Sequence, residues 1–403
     1  MAAERVLLAV PGFSRAERDR RWASVRALMR DRGLAALIVP HATGDWDNLQ
    51  PDLRYLSCLG GGGMACALVF PLEGEPVAAV RESRRIDWWR ASQDWVSDIR
   101  SPAGFRWSRF LADALTGIGA ARERIGVVGL DAVLREPEGT IAHGEFAALR
   151  AALPAARFES AADLMYRVRK RKSAEEMAMI GRAQDCADAI GAALRGTARQ
   201  GATEHEVYAA MVAAHLRCGG ELPSMLLVGT GPRIWQTQLL PTFRRLDAGD
   251  AVVIEAEPKY YGYMAQCVDT VALRPLSSLE AKLFDVSHDC FAMLLEALRP
   301  GASYRELIGG WERFATSAGC VAGRTMGHGL GLGQDGPLTT PGGAADDLAV
   351  EEGDCLVLKP WISNPDDTVS VRVGGTVVVG PRGAHRLGRV PLRPLVVAGP
   401  GVG

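Results

Sequence analysis

Two stretches of this chain open on the same pattern, and that repeat limits the possible folds more than any other feature. Gly249-Asp250 is followed by the apolar run Ala251–Ile254 and then Glu255, while Gly353-Asp354 is followed by Cys355–Leu358 and then Lys359. A second echo lies upstream of each. Gly201-Ala202-Thr203-x-x-Glu206 and Gly301-Ala302-Ser303-x-x-Glu306 both carry the spacing of a capping box, in which a hydroxyl and a carboxylate satisfy the free amides of a helix start. The segment Thr203–Lys359 therefore reads as a duplicated helix-plus-strands unit. Two copies in one domain pack about an approximate two-fold axis, because together they bury a core that neither could bury alone. Glu255 and Lys359 hold equivalent places, so they are expected to meet near that axis.

A chain of 403 residues has room for two domains with full cores. Its 46 basic residues against 47 acidic ones leave no overall positive field, which argues against a nucleic-acid partner. No basic start followed by a long apolar core occurs near the N-terminus, so the expectation is a cytoplasmic protein with neither signal peptide nor membrane span. The eight cysteines form no C-x-x-C pair, which speaks against a zinc site and for reduced thiols packed in the core.

Taken in order, Ser14-x-x-Glu17 starts a helix that Gly33 stops, and Leu34–Val39 reads as a buried strand. Strand patterns recur at Ala65–Phe70, Val77–Val80 and Ile125–Leu130, with helical patterns near Arg106–Leu115 and Glu145–Ala152. These make an α/β domain over residues 1–160. Gly60–Gly63 lacks the Lys-Ser/Thr of a phosphate loop and reads as a tight turn. From Ala161 a basic connector follows, Arg167-Val168-Arg169-Lys170-Arg171-Lys172, expected to be a solvated face. Ser173-x-x-Glu176 then caps a helix with Met177, Ile180, Ala183, Ala187, Ile190 and Leu194 on one face, inside a second domain over residues 161–403 whose final VVAGPGVG is expected to fray.

The connector Arg169–Glu176, the Gly229-x-Gly231 turn, Gly262-Tyr263, the run Gly327-His328-Gly329-Leu330-Gly331-Leu332 and the stretch Glu351–Pro360 together resemble the pita-bread proteins of the creatinase, proline dipeptidase and aminopeptidase P group, the M24 peptidase-like proteins. Leu53-Arg54-Tyr55-Leu56 is similar to their N-terminal domain. The resemblance implies an α/β (α+β) chain: a creatinase-like N-terminal α/β domain followed by a pita-bread domain with internal pseudo-two-fold duplication. It also implies positions for two divalent metals held by two aspartates, a histidine and two glutamates. Glu255, Gln266, His328, Lys359 and Gly374 stand at those places, and only His328 matches. Gln238 and Asp335 stand where the peptidases carry further histidines.

Two divalent ions need several carboxylates, and this set offers one carboxylate beside an ammonium, so no metal and no other cofactor is expected. The candidate catalytic residues are Lys359, His328, Glu255, Glu257 and Asp335, with Glu255 and Glu257 two apart and so on one face of a strand. Arg372, Gln238, Gln266, Tyr263 and Arg54 are the candidate substrate contacts, Arg372 for an anionic group. Glu257, next to Pro258, also fits an exposed strand end, and Glu255–Lys359 also fits a purely structural ion pair. The Gly327–Gly333 run lacks the following helix of a dinucleotide loop. The expected function is a metal-independent, creatinase-like enzyme acting on a small polar nitrogen-containing substrate, by C–N bond hydrolysis. A catalytically inactive ligand- or protein-binding domain and an Xaa-Pro-type metallopeptidase are the alternatives. The resemblance further implies a homodimer, in which Arg54, Tyr55 and Trp88-Trp89 are candidate interface or lining groups.

Overall fold

Ser14 begins the first helix, its hydroxyl accepting from the Glu17 amide at 3.1 Å, and Gly33 ends it in the left-handed conformation at φ 63°. The computed structural model describes residues 10–41, 50–61, 64–132, 136–232, 240–333, 335–342 and 348–397. It divides into two compact units, Met1–Arg169 and Lys170–Gly403.

The first unit is built on a six-stranded mixed sheet. Its strands are β1 (Ala36–Val39), β2 (Cys66–Pro71), β3 (Val77–Val80), β4 (Asp98–Arg100), β5 (Arg124–Val127) and β6 (Arg157–Ser160), in the order β4-β3-β2-β1-β5-β6. Helices α1 (Arg15–Arg32), α2 (Pro51–Ser57), α3 (Ile86–Ser92), α4 (Trp107–Gly117), α5 (His143–Ala152) and α6 (Ala162–Lys170) complete it. The apolar faces of α4 and α5 close over the sheet through Phe110, Leu111, Leu115 and Leu149, which pack with Ile38, Val69 and Val127. The expected α/β domain is therefore present, with β4 and β6 as short strands that carry little apolar pattern. Of the glycine run, Gly60 and Gly61 are described, and both need positive φ, at 100° and 90°.

The second unit holds helices α7 (Ala174–Thr197), α8 (Glu204–Arg217), α9 (Ser278–Ala297) and α10 (Tyr304–Ser317) against a ten-stranded sheet. The main path uses β7 (Glu221–Gly231), β8 (Ala251–Tyr260), β10 (Cys267–Ala272), β12 (Gly327–Gly329), β13 (Leu338–Thr339), β14 (Cys355–Leu358) and β17 (Gly374–Gly380). Its order is β13-β12-β14-β17-β10-β8-β7, antiparallel at every step. That order is nearly palindromic: β7, β8 and β10 of the first copy mirror β12, β14 and β17 of the second, so the pseudo-two-fold axis runs between β10 and β17. Short strands β9 (Tyr263–Met264), β18 (Gly383–Arg386) and β19 (Leu395–Val396) pair with β8, β17 and β10. A separate three-stranded sheet joins β11 (Val321–Ala322), β15 (Trp361–Ser363) and β16 (Ser370–Arg372) in the order β11-β15-β16.

Each copy has its own core. Ile190, Leu194, Val207 and Met211 of α7 and α8 pack on Val252 and Ile254, while Phe284, Leu294, Tyr304 and Trp311 of α9 and α10 pack on Leu356, Leu358 and Val377. Alternation along β8 then decides the site. Even positions 252, 254 and 256 lie in the α7–α8 core, so Glu255, Glu257 and Lys259 point to the opposite face.

Three expectations need correction here. Ser303 makes no side-chain cap, so of the two echoed helix starts it is that of α8, through Thr203 and Glu206, that has the full capping box. The basic connector is not a solvated face: Lys170 bonds Glu351 at 2.8 Å and Lys172 bonds Asp335 at 3.0 Å, both lysines being buried. Arg169 likewise bonds Asp52 at 2.7 Å. The start of the expected frayed tail is a strand, since β19 pairs with Val271 and Ala272, while residues 398–403 lie outside those described.

Candidate functional site

Glu255 sits mid-strand in β8, flanked in the ladder by Leu227 of β7 and Val268 of β10. Both its carboxylate oxygens are occupied. Oε1 accepts from the Lys359 ammonium and from Gln266 Nε2, the latter at 2.5 Å; Oε2 accepts from Arg372 Nη2 at 2.6 Å. Lys359 lies just past the end of β14, fixed by its backbone amide to the Met326 carbonyl at 2.8 Å. Arg372 comes from the end of β16 and lies over the Trp361 ring at 4.5 Å. The predicted meeting of Glu255 with Lys359 is thus observed. Burial would raise the Glu255 pKa, but the charges of Lys359 and Arg372, the Lys359 hydrogen bond and the nearby His328 overcome it and hold the carboxyl far below its ordinary value.

Next to this group lie Glu257 and His328, both essentially closed to solvent. Their Oε1 and Nε2 atoms are 3.6 Å apart. His328 Nδ1 stands 3.1 Å from the Gly329 carbonyl, which can only accept, so the hydrogen belongs on Nδ1. Without a further proton Nε2 and the carboxylate would face each other as lone-pair atoms, and a proton on either partner turns that repulsion into attraction. Glu257 is not the exposed strand end allowed by its neighbouring proline: β8 continues to Tyr260, paired with β7 and β9.

Other candidates are placed elsewhere. Asp335 pairs with Lys172, and a Cβ on Gly331 would press on that carboxylate and lie 2.7 Å from Lys172 Cε. Tyr263 is fully buried with its hydroxyl on Glu176 at 3.0 Å, which makes it a brace to the start of α7 rather than a substrate contact. Arg54 belongs to the first unit, where its Nη1 comes within 2.9 Å of where a Gly61 Cβ would be. Arg372, expected to hold a substrate anion, is engaged by Glu255. Gln238 lies outside the described residues. Sequence reasoning missed Lys172, Trp361 and Thr376, whose hydroxyl accepts from the Gln266 amide at 3.0 Å. No local signal marks Lys172, since its partner is distant in sequence.

The donor set does not suit a divalent metal. Glu255 is saturated by cations, Gln266 is neutral, Lys359 is positive and Gly374 has no side chain. A divalent ion about 4 Å from one ammonium would be repelled by about 8 kcal/mol at an effective dielectric of about 20. Among the described residues no group of three or more His, Cys, Asp or Glu side chains is gathered for a metal, and no helix is long and apolar enough to cross a membrane.

Residues 178–381 match metallopeptidase family M24, and residues 21–171 match the creatinase/prolidase N-terminal domain. The chain is 24% identical over 254 residues to an Xaa-Pro dipeptidase of Pyrococcus furiosus, covering 62% of this chain and 72% of that one. Its fold is similar to a dipeptidase of Mycobacterium ulcerans, with a TM-score of 0.77 and 23% identity over 96% of this chain and 100% of that one. An Xaa-Pro dipeptidase of Bacillus anthracis gives a TM-score of 0.79 with 18% identity, over 94% and 100%. The pita-bread architecture and its N-terminal companion are those the resemblance implied.

Proposed function

The chain belongs to metallopeptidase family M24, and we propose that it is a hydrolase that cleaves a C–N bond of a small polar nitrogen-containing substrate without a divalent metal. The observation that carries this reading is the saturation of Glu255 by Lys359, Arg372 and Gln266. Gln266 also supports the nitrogenous substrate: its Oε1 is buried and accepts no hydrogen bond from the described residues, so a substrate N–H suits it. Glu257 and His328 handle the protons. Water adds its oxygen to the carbon of the C–N bond while its proton passes to the Glu257–His328 pair. The C–N bond then breaks as that pair returns the proton to the departing nitrogen, giving C–OH and N–H products with no net change at the pair.

A second reading is an Xaa-Pro dipeptidase, and the names of the relatives support it more directly than they support the first. The donor set at the five metal positions weighs against it. One experiment separates the two. Purified protein is analysed for Mn, Zn, Co and Fe, then assayed with and without chelator against amino-acid amides, ureas, cyclic amides and Xaa-Pro dipeptides. The first reading expects turnover indifferent to chelator, lowered by roughly 10²–10⁴ in His328→Ala. Two tightly held metals per chain with chelator-sensitive cleavage of Xaa-Pro dipeptides would establish the second.

A further inference from the structure

We propose that the Lys359 ammonium and the Arg372 guanidinium stand in for metal cations at Glu255, and that Gly374 is the positioning residue that commits the site to this arrangement. The proposal deepens the reading above and rests on its metal-free half alone.

Gly374 is opposite Val268, and Val268 is opposite Glu255, so the three share one row across β17, β10 and β8. Directly paired residues on neighbouring strands point to the same face of a sheet. A side chain at 374 would therefore project onto the face that holds the Glu255 carboxylate, and it is the place from which a second acid could reach it. That volume is already filled by main chain. A Cβ built on Gly374 would press on the Leu358 carbonyl and lie 2.7 Å from both Cα and Cβ of Lys359. Absence of a side chain at 374 thus lets the chain pass close enough for Lys359 to reach Glu255, while its amide is held by Met326. Arg372, two residues earlier, supplies the second charge to the other carboxylate oxygen. One missing side chain both removes an acid and seats a base, so restoring a single acid elsewhere does not rebuild a metal site.

The test needs no substrate, so it can fail or succeed independently of the catalytic reading. Wild-type protein and Lys359→Glu are expressed in medium supplemented with manganese, cobalt and zinc, then analysed for metal and melted with millimolar MnCl2 or EDTA. Both are expected to hold less than about one equivalent of metal, as befits lost ligands, with Tm unmoved by either addition. Native acetylation read by mass spectrometry checks the positioning role. Lys359 should be protected in the wild type and become labelled in Gly374→Ala, with Lys170 and Lys172 staying protected. Gly181→Ala, whose Cβ meets nothing within 4 Å, should leave Lys359 protected. Should Gly374→Ala not fold, Lys359→Glu decides: no metal uptake supports the proposal. Metal bound stoichiometrically by the wild type or by Lys359→Glu, wild-type Lys359 labelling as fast as the surface lysine Lys282, or Lys359 staying protected in a folded Gly374→Ala would overturn it.

Discussion

In the first copy of the repeat, the Gly201 amide donates to the Leu246 carbonyl and the Leu246 amide to the Ala202 carbonyl, each at 2.8 Å; in the second, Gly301, Val350 and Ala302 repeat both bonds at the same length. Helices α8 and α10 both span 14 residues. What differs is the charge each copy brings to the axis. Strand β8 continues past Glu255 and Glu257, fixing both carboxylates in the sheet, whereas β14 stops at Leu358 and leaves Lys359 at the turn into β15. The copies agree where backbone groups must be satisfied and diverge where side chains face each other. A duplicated scaffold can therefore hold opposite charges at matching positions, each copy supplying the counter-ion that the other needs.

The sharpest way to break this comparison is to remove one side of it. Lys359→Met should cost about 3–5 kcal/mol in denaturant unfolding, since it deprives a buried carboxylate of a partner. Glu255→Gln with Lys359→Met should recover part of that loss, because two desolvation penalties disappear together while Arg372 gives up its carboxylate. Equal, small losses in the single and double variants would show that the two copies do not depend on each other's charge.

Acid should act next. The folded Glu255 pKa lies below its unfolded value, so its contribution is present above the ordinary glutamate range near about 4.3 and is withdrawn as pH falls through the depressed folded value. Stability of the wild type minus that of Glu255→Gln should then shrink on acidification. A difference that grows toward low pH would mean that the cations of the second copy do not hold this carboxylate.

The smallest effect concerns the helix starts. Thr203→Ala should cost about 1 kcal/mol, because Thr203 and Glu206 complete a capping box, whereas Ser303→Ala should be close to neutral. Equal costs would show that the second cap forms in solution.

These contrasts also explain what could be read from the chain. The repeat was legible because both copies open on Gly-Asp before a four-residue apolar run, which forms β8 in one and β14 in the other, and Glu255–Lys359 followed from the symmetry. The caps at Ser14 and Ser173 were legible because their hydrogen bonds are local. Lys170 and Lys172 were misread because a run of bases has no local signal of burial; their partners Glu351, Asp354 and Asp335 come from the far end of the unit. Glu257 resisted reading for a similar reason, since Pro258 marks a strand end only if no neighbouring strand carries the pairing onward. Arg372 was visible as a base beside the site, but a ligand role and an internal counter-ion role look alike until Glu255 is placed beside it.

The ion pairs of the basic connector bear on how this protein can be cut into parts. The family match begins at residue 178, yet Lys170, Lys172 and Glu176 already serve the second unit, through Asp354, Asp335 and Tyr263. A fragment started at the edge of the match would strip three buried polar side chains of these partners. The practical boundary of an excised C-terminal piece therefore lies before Lys170, and the few residues that look like a tether are part of the body they lead into.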